Sequence, residues 1–383
     1  MPDVVVVGAG ISGAATAYEL ARSGLAVVLL DRYGPAAMAS GWTLAGVRQS
    51  GRDPAELPLA RAAVTLWSEL DQRLGADVQY RRQGNLRLAR TEAEVPVIER
   101  LVAEQSAAGL EIVLLRGGEV QEVAPAISRD VLAASLCRTD GHADPNRTVQ
   151  AFVAAAVRAG AQTRWGEQAI AIETAVGRPL GVRTDRGVIA AGGVVLAAGL
   201  FGNVLLEPLG AAVPMEARMV SVMRSVQMDP VLEQVIGVAN ADCAGRQEAD
   251  GRFRATGGSQ RWHGRMEDGE RPAVRPDAGS LEAIVRRFGA AVPAFRGAPI
   301  ETVWAGLIDL TPDALPVLDR VPGVDGLVVA MGFSGHGFCL GPVTGQIASA
   351  LVRGEVPGFD LAPFRLERFA GWNRAPAAVS LHG

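Results

Sequence analysis

The chain begins with four valines that run directly into a glycine-rich turn. Val4 to Val7 precede the sequence GAGISG at Gly8 to Gly13, and a run of β-branched residues predicts a buried parallel strand. The glycine spacing is that of the dinucleotide-binding fingerprint. Gly8 permits the tight turn, Gly10 lets the backbone approach a pyrophosphate, and Gly13 lets the next helix lie against the strand. That helix directs its N-terminus at an anion. An α/β domain of the Rossmann type is therefore predicted.

The second strand of this unit ends in an acidic residue. A helix over Ala14 to Ser23 is predicted to stop at Gly24, and a strand over Ala26 to Leu30 follows. Asp31 lies 18 residues beyond Gly13, where a carboxylate accepts hydrogen bonds from ribose hydroxyls and repels a 2′-phosphate. The strand, the helix and the acid together favour dinucleotide binding over a turn that serves packing alone.

Length and charge favour a two-domain enzyme that acts on small molecules. The 383 residues exceed what one core usually supports. The 37 basic residues, all arginine, and 41 acidic residues give a net charge of −4, which gives no reason to expect nucleic acid or an anionic membrane as partner. No apolar stretch predicts a transmembrane segment, and the early fingerprint leaves no room for a cleaved signal peptide, so a cytoplasmic location is expected. Three scattered cysteines argue against disulfides and a metal site.

Helices and strands alternate along the middle of the chain. Apolar spacing, caps and glycines predict a helix over Leu59 to Leu74 ending at Gly75, a capping box at Thr91 to Glu94 before a helix over Val95 to Leu101, a helix starting at Asp144-Pro145, strands at Thr163 to Trp165 and Val194 to Ala198, loops and hairpins from Gly245 to Ser280, and a helix over Leu281 to Phe288.

A second glycine-rich turn lies near the C-terminal end. Leu327 to Met331 is predicted as a strand, and Gly332 to Phe338 as a turn. Gly341-Pro342 is predicted to open a helix that runs to Arg353. A second helix N-terminus, about 330 residues from the first, would bracket a long ligand together with the fingerprint.

These residues resemble the FAD-dependent oxidoreductases of the D-amino-acid oxidase, glycine oxidase and sarcosine oxidase family. The resemblance extends over nearly the whole chain. The pattern W-x-G-x-x-D-x-T-P-D, from Trp304 to Asp313, is closest to sarcosine oxidase β subunits, opine oxidases and hydroxyproline dehydrogenases. The blocks that carry the resemblance, in order, are the fingerprint, Ser40 to Glu56, Asp140 to Pro145, Val195 to Gly199, and Thr311 to Gly337.

The resemblance implies a fold and an activity. An FAD-binding domain is expected from residues 1–78, 143–215 and 318–383, and an α+β substrate domain with a large antiparallel sheet from residues 79–142 and 216–317. The implied reaction oxidises a C–N bond of an amine, imino acid or N-substituted amino acid by hydride transfer to flavin N5, which gives an imine. Two alternatives stay open. One is a flavin-binding subunit that passes electrons to a partner in a heteromeric dehydrogenase, and the other is a non-catalytic flavoprotein or NAD-binding regulator.

The resemblance also implies site residues. Arg48 is the first candidate and Arg52 the second to bind a substrate carboxylate; the alternative is that each forms an ion pair at the surface. His336 is the candidate for a catalytic side chain at the flavin; the alternative is that it only stabilises its own turn. Cys339 is expected to be a small buried residue. The predicted cofactor-binding residues are Gly8, Gly10, Ile11, Ser12, Gly13, Asp31, Arg32, Ser40, Gly199, Gly332, Gly335, His336, Gly337 and Phe338.

Three departures from the family pattern refine these expectations. Gly306 stands where relatives with covalently held flavin carry cysteine, so noncovalent FAD is expected. Ile308 occupies the segment where glycine oxidase relatives carry a carboxylate-binding arginine, so Arg48, Arg52 or an arginine of the second domain must substitute for it. Sarcosine oxidase relatives carry a lysine over the flavin that assists the reaction with O₂. This chain has no lysine, which favours a dehydrogenase over an oxidase.

Overall fold

Strands and helices alternate through residues 1–372, the residues that this computed structural model describes. Residues 373–383 of the predicted segment 318–383 lie outside the described residues. The strands are β1 (Val4–Val7), β2 (Val27–Asp31), β3 (Gly46–Val47), β4 (Asn85–Ala89), β5 (Val113–Arg116), β6 (Ala133–Cys137), β7 (Gly141–His142), β8 (Gln162–Trp165), β9 (Ala169–Ala175), β10 (Arg178–Thr184), β11 (Gly187–Ala190), β12 (Gly193–Leu196), β13 (Glu216–Ser225), β14 (Val235–Val238), β15 (Cys243–Gln247), β16 (Phe253–Arg261), β17 (Ile300–Leu310), β18 (Val317–Arg320) and β19 (Leu327–Met331). The helices are α1 (Ile11–Arg22), α2 (Ala39–Trp42), α3 (Leu57–Ser68), α4 (Leu70–Leu74), α5 (Val95–Ala107), α6 (Gly118–Val123), α7 (Pro145–Arg158), α8 (Asn203–Leu206), α9 (Ala278–Ala291) and α10 (Gly337–Val352).

The first strand lies inside a six-stranded sheet. The strand order is β18-β19-β12-β1-β2-β8, and every neighbouring pair is parallel except β18 with β19. Side chains of β1 alternate between two cores, as a strand buried on both faces requires. Val4 and Val6 pack with helices α1, α3, α7 and α10, whereas Val5 and Val7 pack on the side of the small sheet β9-β10-β11. This arrangement confirms the Rossmann-type α/β prediction.

The large antiparallel sheet expected from the resemblance is present. It has eight strands in the order β17-β13-β16-β15-β14-β4-β6-β5, in which the β14–β4 pair is parallel. One face packs against α9 through a core that contains Leu86, Leu88 and Phe288. Because side chains alternate along a strand, Asn85 and Arg87 of β4 face the opposite way, into the main cavity.

Two buried arginines of the large sheet bind the loop after α2. Arg246 donates to the carbonyl oxygens of Leu44 (2.6 Å) and Ala143 (3.1 Å). Arg254 donates to the carbonyl oxygen of Thr43 at 2.7 Å. These bonds join the second sheet to the segment that follows the nucleotide-binding unit. The exact boundaries of the two predicted domains stay a prediction.

Several sequence predictions are confirmed, and three differ from the structure. The strand at Leu327–Met331 is confirmed, and so is the helix start at Asp144, whose carboxylate accepts from the Arg147 amide at 2.8 Å. The predicted helix over Leu59 to Leu74 is two helices, α3 and α4, which meet at Glu69. The capping box at Thr91 to Glu94 is wrong, because Glu94 itself is the N-cap residue of α5.

The predicted start of the last helix is also wrong. α10 begins at Gly337, so Pro342 lies inside the helix rather than at its first position. The turn that begins at Phe333 already directs the chain into the helix, since the His336 amide donates to the Phe333 carbonyl at 2.8 Å. The error came from a general preference of proline for the first helical position, which the local turn overrides.

The described residues contain neither a membrane-spanning helix nor a metal-binding cluster. Within residues 1–372, no helix combines the length and apolarity needed to cross a bilayer. The same residues contain no cluster of three or more His, Cys, Asp or Glu side chains suited to a metal ion. The cytoplasmic location stays a prediction.

Close packing between α1 and α10 gives a prediction on stability. A methyl group on Gly345 would lie 2.8 Å from the Ala15 side chain and 2.7 Å from its carbonyl carbon. We expect Gly345→Ala to lower the free energy of unfolding by about 1 to 3 kcal/mol, because the helices must move apart. Gly118→Ala, in a helix with open space around the added methyl, is the control and should be neutral or stabilising by up to ~1 kcal/mol. Urea denaturation measures both, and equal stability of the two variants would contradict the prediction.

Candidate active site

One long cavity connects the fingerprint to the large sheet. Gly8, Gly10 and Asp31 line one end, and Val222 and Thr256 of the large sheet line the other. The C-terminal ends of β1 and β2 open into it, the position where α/β sheets bind ligands. The cavity thus passes from a nucleotide-type site to a mostly aliphatic chamber.

Gly8 and Gly13 have the backbone roles that the sequence predicted, and the pyrophosphate contact of Gly10 stays a prediction. Gly8 has a φ of +107°, which a side chain rarely adopts, and a methyl group there would collide with the Ala197 carbonyl. A methyl group on Gly13 would collide with the Gly8 carbonyl. Gly10 is the N-cap of α1 and makes no side-chain cap hydrogen bond. The Ser12 and Gly13 amides of the first helical turn have no hydrogen bond to the described residues, so they are available to an anion.

Ser40 and Asp31 support this turn from two sides. The Ile11 amide donates to Ser40 Oγ at 3.0 Å. Asp31 Oδ2 accepts from the Ala9 amide at 2.7 Å, and its Oδ1 accepts from the amides of Tyr33 and Gly34 at 2.7 and 2.8 Å. Burial raises the pKa of Asp31, although these backbone bonds oppose that rise. Asp31 thus holds the turn and also lines the cavity.

The second glycine-rich turn is held by Asp309 of β17. Its Oδ2 accepts from the Gly332 amide at 2.9 Å, and its carbonyl accepts from the Ser334 amide at 3.2 Å. Burial raises the pKa of Asp309 to about 6. The turn leads into α10, whose N-cap residue His336 makes no side-chain cap hydrogen bond. Because Gly335 and Gly337 line the cavity, the positive end of this helix lies at its wall.

His336 belongs to a buried polar group beside the main cavity. Its Nδ1 lies 2.9 Å from Glu56 Oε2, and Arg52 Nη1 lies 3.5 Å from the same oxygen. Burial, and then the Arg52 cation, lower the pKa of His336 to about 4, so the imidazole is neutral at pH 7. Burial would raise the pKa of Glu56, but His336 and Arg52 outweigh it and lower that pKa to about 2.

The orientation of His336 bears on its predicted role. The residue lines a smaller neighbouring cavity together with Glu56, while its chain neighbours Gly335, Gly337 and Phe338 line the main one. Its catalytic role stays a prediction. Glu56 is the last residue of the segment Ser40 to Glu56 that carries the family resemblance. No sequence pattern indicated its partner, because 280 residues separate it from His336.

Arg48 and Arg52 both reach the main cavity. Arg52 already has partners within the protein, because it contacts Glu56 and its Nε donates to the Arg48 carbonyl at 3.1 Å. Arg48 donates to the Ser50 carbonyl at 2.6 Å through Nη1. Burial and then the Arg52 and Arg87 cations lower the pKa of Arg48 well below its usual value. The Asp140 carboxylate acts in the opposite direction and raises that pKa, but by less.

Sequence reasoning missed the polar residues that the large sheet contributes. Asn85 and Arg87 of β4 and Thr256 of β16 line the cavity among Val220 and Val222. Thr256 Oγ1 is buried and has no hydrogen-bond partner among residues 1–372. The alternation of Asn85 and Arg87 with two leucines was the available signal, since it predicts a strand with one polar face. It does not say what that face covers.

Most of the predicted cofactor residues line the main cavity. Gly13 and Gly332 instead support its wall, Gly13 behind the fingerprint turn and Gly332 on Asp309. Cys339 is buried, as expected, with its Sγ 3.3 Å from the Arg48 carbonyl oxygen. The predicted residues on the wall are Gly8, Gly10, Ile11, Ser12, Asp31, Arg32, Ser40, Gly199, Gly335, Gly337 and Phe338.

This fold and this cavity define an oxidoreductase that uses a dinucleotide cofactor. Residues 3–351 match the family of FAD dependent oxidoreductases known as DAO. The chain therefore belongs to that family, and FAD is its cofactor.

Relatives in this family are similar over almost their whole length. The human peroxisomal sarcosine oxidase is 27% identical over 388 residues, which cover 97% of each chain. The sarcosine oxidase subunit beta of an Arthrobacter species is 28% identical, over 96% of this chain and 91% of that protein. The crystal structure of glycine oxidase from Geobacillus kaustophilus superposes with a TM-score of 0.89 at 26% identity, over 96% of this chain and 98% of that one.

The residues present fit FAD. The fingerprint glycines leave room for a pyrophosphate at the N-terminus of α1, and Asp31 lines the same part of the cavity, where it would accept from ribose hydroxyls. The amides near Gly335 and Gly337, at the N-terminus of α10, would stabilise negative charge on the ring system.

Asp31 gives a prediction on cofactor affinity. Charge-assisted hydrogen bonds are each worth ~1.5 to 3 kcal/mol, so Asp31→Ala should weaken FAD binding by about 2 to 4 kcal/mol after partial compensation by water. Asp3→Ala is the matched control, because Asp3 also accepts a backbone amide, from Ala26 at 2.8 Å, but is exposed at the far end of β1. Titration of apoprotein with FAD measures both affinities. Wild-type affinity in Asp31→Ala would show that this carboxylate is not a cofactor ligand.

Two buried groups give stability opposite dependences on pH. The folded state keeps His336 neutral, so its contribution is complete above pH 6.5 and is lost, by up to ~3 kcal/mol, as the pH falls toward 4. Asp309 binds its proton more tightly when folded, so its contribution is lost as the pH rises from 3.8 through about 6.

Substitution separates these two contributions. In urea denaturation of apoprotein between pH 4 and 8, His336→Gln should lose less stability than the wild type on acidification. Asp309→Asn should lose more. Parallel pH profiles for the wild type and both variants would contradict the assignment.

Proposed function

We propose that this protein oxidises a C–N bond of an amine, imino acid or N-substituted amino acid and that it holds FAD noncovalently. The observation that supports this most is the chamber at the end of the cofactor cavity. Val220, Val222 and Val235 make it aliphatic, and Arg48 and Arg87 bring cations to it. A small substrate with an apolar body and one anionic group fits such a chamber.

The residues of the chamber suggest how the protein acts. When bound, FAD supplies the two-electron acceptor that takes a hydride from the carbon next to nitrogen. The valines of the large sheet exclude water, and the cations orient the substrate against the ring system. The imidazole of His336 is engaged with Glu56, so the substrate amine is proposed to bind neutral, without a protein base to deprotonate it. The imine hydrolyses after release.

Arg48 remains the first candidate for the substrate carboxylate and Arg52 the second. The contacts favour Arg48, because Arg52 is paired with Glu56 and donates to the Arg48 carbonyl. Residues 1–78, 143–215 and 318–383 are proposed to form the FAD domain, and residues 79–142 and 216–317 the substrate domain.

Noncovalent binding gives a direct prediction. Gly306 lines the cavity, and a side chain there would meet Trp42 Cβ at 2.9 Å. Gly306, the position where a cysteine would bind flavin covalently, therefore lacks the thiol, and Trp42 leaves no space there for a side chain. Acid precipitation and filtration should release all of the yellow colour into the filtrate. Flavin that stays with the polypeptide would contradict this prediction.

The reaction class is tested by flavin reduction. Anaerobic mixing with a panel of glycine, N-methylglycine, proline and simple secondary amines should bleach the flavin with at least one of them. We propose a dehydrogenase, so the reduced protein should persist in air-saturated buffer for seconds and reoxidise when a dye acceptor is added. Reoxidation within milliseconds would indicate an oxidase, and no bleaching by any amine would contradict the proposed function.

A second arrangement is supported by one relative. The Arthrobacter protein is one subunit of a sarcosine oxidase by its name, so this chain is proposed, as the alternative, to pass electrons to a partner protein. Slow reoxidation alone fits both arrangements. Co-purification of a partner that restores fast reoxidation would favour the alternative.

A further inference from the structure

Arg87 is a cation inside the protein without a protein partner. It lies at the middle of β4, and its guanidinium makes no hydrogen bond or ion pair with any of residues 1–372. Burial, followed by repulsion from the Arg52 cation, lowers the pKa of Arg87 to about 10. The side chain is half-buried at the cavity wall, and a poorly solvated cation is unfavourable unless an anion meets it.

The neighbours of Arg87 on the sheet leave it free to reach a ligand. In the register of the large sheet it lies beside Gly237 of β14 and Ser135 of β6. Gly237 has no side chain, and Ser135 has no charge. Leu86 and Leu88 point to the opposite face and pack in the core below. The strand therefore directs Arg87 to the other face, where it lines the main cavity and also the smaller cavity beside His336.

The charged groups closest in effect to Arg87 do not pair with it. Arg48, Arg52 and Arg87 act on one another as cations. The carboxylates that act on Arg48 and Arg52 include Glu56 and Asp140. Glu56 contacts Arg52 and His336, and Asp140 accepts from the Ser50 and Gln49 amides. Neither carboxylate makes an ion pair with Arg87, so this cation is left for an anion from outside the described residues.

We infer that Arg87 binds the carboxylate of the substrate, together with Arg48, which lines the same cavity. The inference rests on the proposed function, since it names the anionic group of the same substrate. In this arrangement the large sheet contributes to substrate specificity. A substrate carboxylate supplies an ion-pair partner for Arg87, whereas a plain amine leaves Arg87 unpaired. The planar guanidinium offers two parallel N–H donors that match a carboxylate, a geometry that lysine lacks.

Binding of an unreactive carboxylate tests this without turnover. The oxidised holoenzyme is titrated with 2-furoate and with its uncharged amide, 2-furamide, while the flavin absorbance is followed. Arg87→Ala should weaken 2-furoate binding at least about 100-fold and leave 2-furamide binding unchanged. Arg87→Lys should give an intermediate loss. Arg129→Ala, an exposed arginine without a hydrogen bond or ion pair to the described residues, should bind 2-furoate like the wild type.

Thermal stability distinguishes a ligand-binding role from a structural one. Removing an unpaired cation that two other cations repel should leave the melting temperature of ligand-free Arg87→Ala equal to or above that of the wild type. A lower melting temperature with loss of FAD would show that Arg87 supports the fold, and would overturn the inference. Equal 2-furoate affinities in the wild type and Arg87→Ala, or no binding to the wild type, would also overturn it.

The two proposals fail in different experiments. If 2-furoate binds through Arg87 but no amine bleaches the flavin, Arg87 does bind a carboxylate and the proposed reaction is wrong. If amino acids bleach the flavin of the wild type and Arg87→Ala with the same KM, the proposed reaction is supported and the carboxylate-binding role of Arg87 is wrong. A rise in KM for N-methylglycine, with little change in KM for dimethylamine, supports both.

Discussion

The position of the large sheet over the cofactor cavity depends on two buried arginines. Arg246 and Arg254 project from β15 and β16 and donate to carbonyl oxygens of Thr43, Leu44 and Ala143, which belong to segments around the nucleotide-binding unit. Burial, then repulsion from Arg254, lowers the pKa of Arg246 to about 9. Burying charge in this way adds little net stability, so its consequence here is geometric: it fixes which face of the sheet meets the cavity.

The same contact determines the protonation of its neighbour. Burial, and then the Arg246 cation, lower the pKa of His142 well below its usual value. Its Nδ1, 2.9 Å from Arg246 Nη1, must therefore accept, because a guanidinium only donates. The junction between the sheets is a donor–acceptor set without a proton that exchanges near neutral pH.

The sequence predicted the parts of the site that depend on local backbone geometry. The fingerprint glycines, Asp31 and the turn before α10 are each defined by residues that are close in the chain, and the constraints of a tight turn are visible there. The start of α10 was misplaced by four residues, because a turn beginning at Phe333 overrode the usual preference of Pro342.

The parts that the sequence did not predict depend on contacts between distant segments. Glu56 and His336 are 280 residues apart, and nothing near either residue indicates the other. Arg87 reads as one polar residue of an amphipathic strand, a pattern more often explained by solvent on that face. What makes its environment unusual is the β14–β4 pairing, a parallel contact across about 150 residues, which no local pattern encodes.

The two halves of the cavity therefore follow different physical rules. At the cofactor end, N–H groups at the start of α1 meet an anion, and the backbone that supplies them is held by Asp31 and Ser40. At the end lined by the large sheet, the side chains of Arg48 and Arg87 supply the charge, and Arg87 has no ion pair among the described residues. Backbone donors recognise a phosphate whatever side chains surround them, whereas Arg48 and Arg87 are single positions that a substitution can change. The proposed function therefore predicts that a substitution on this sheet face alters which anionic amine is accepted while the cofactor end is left intact.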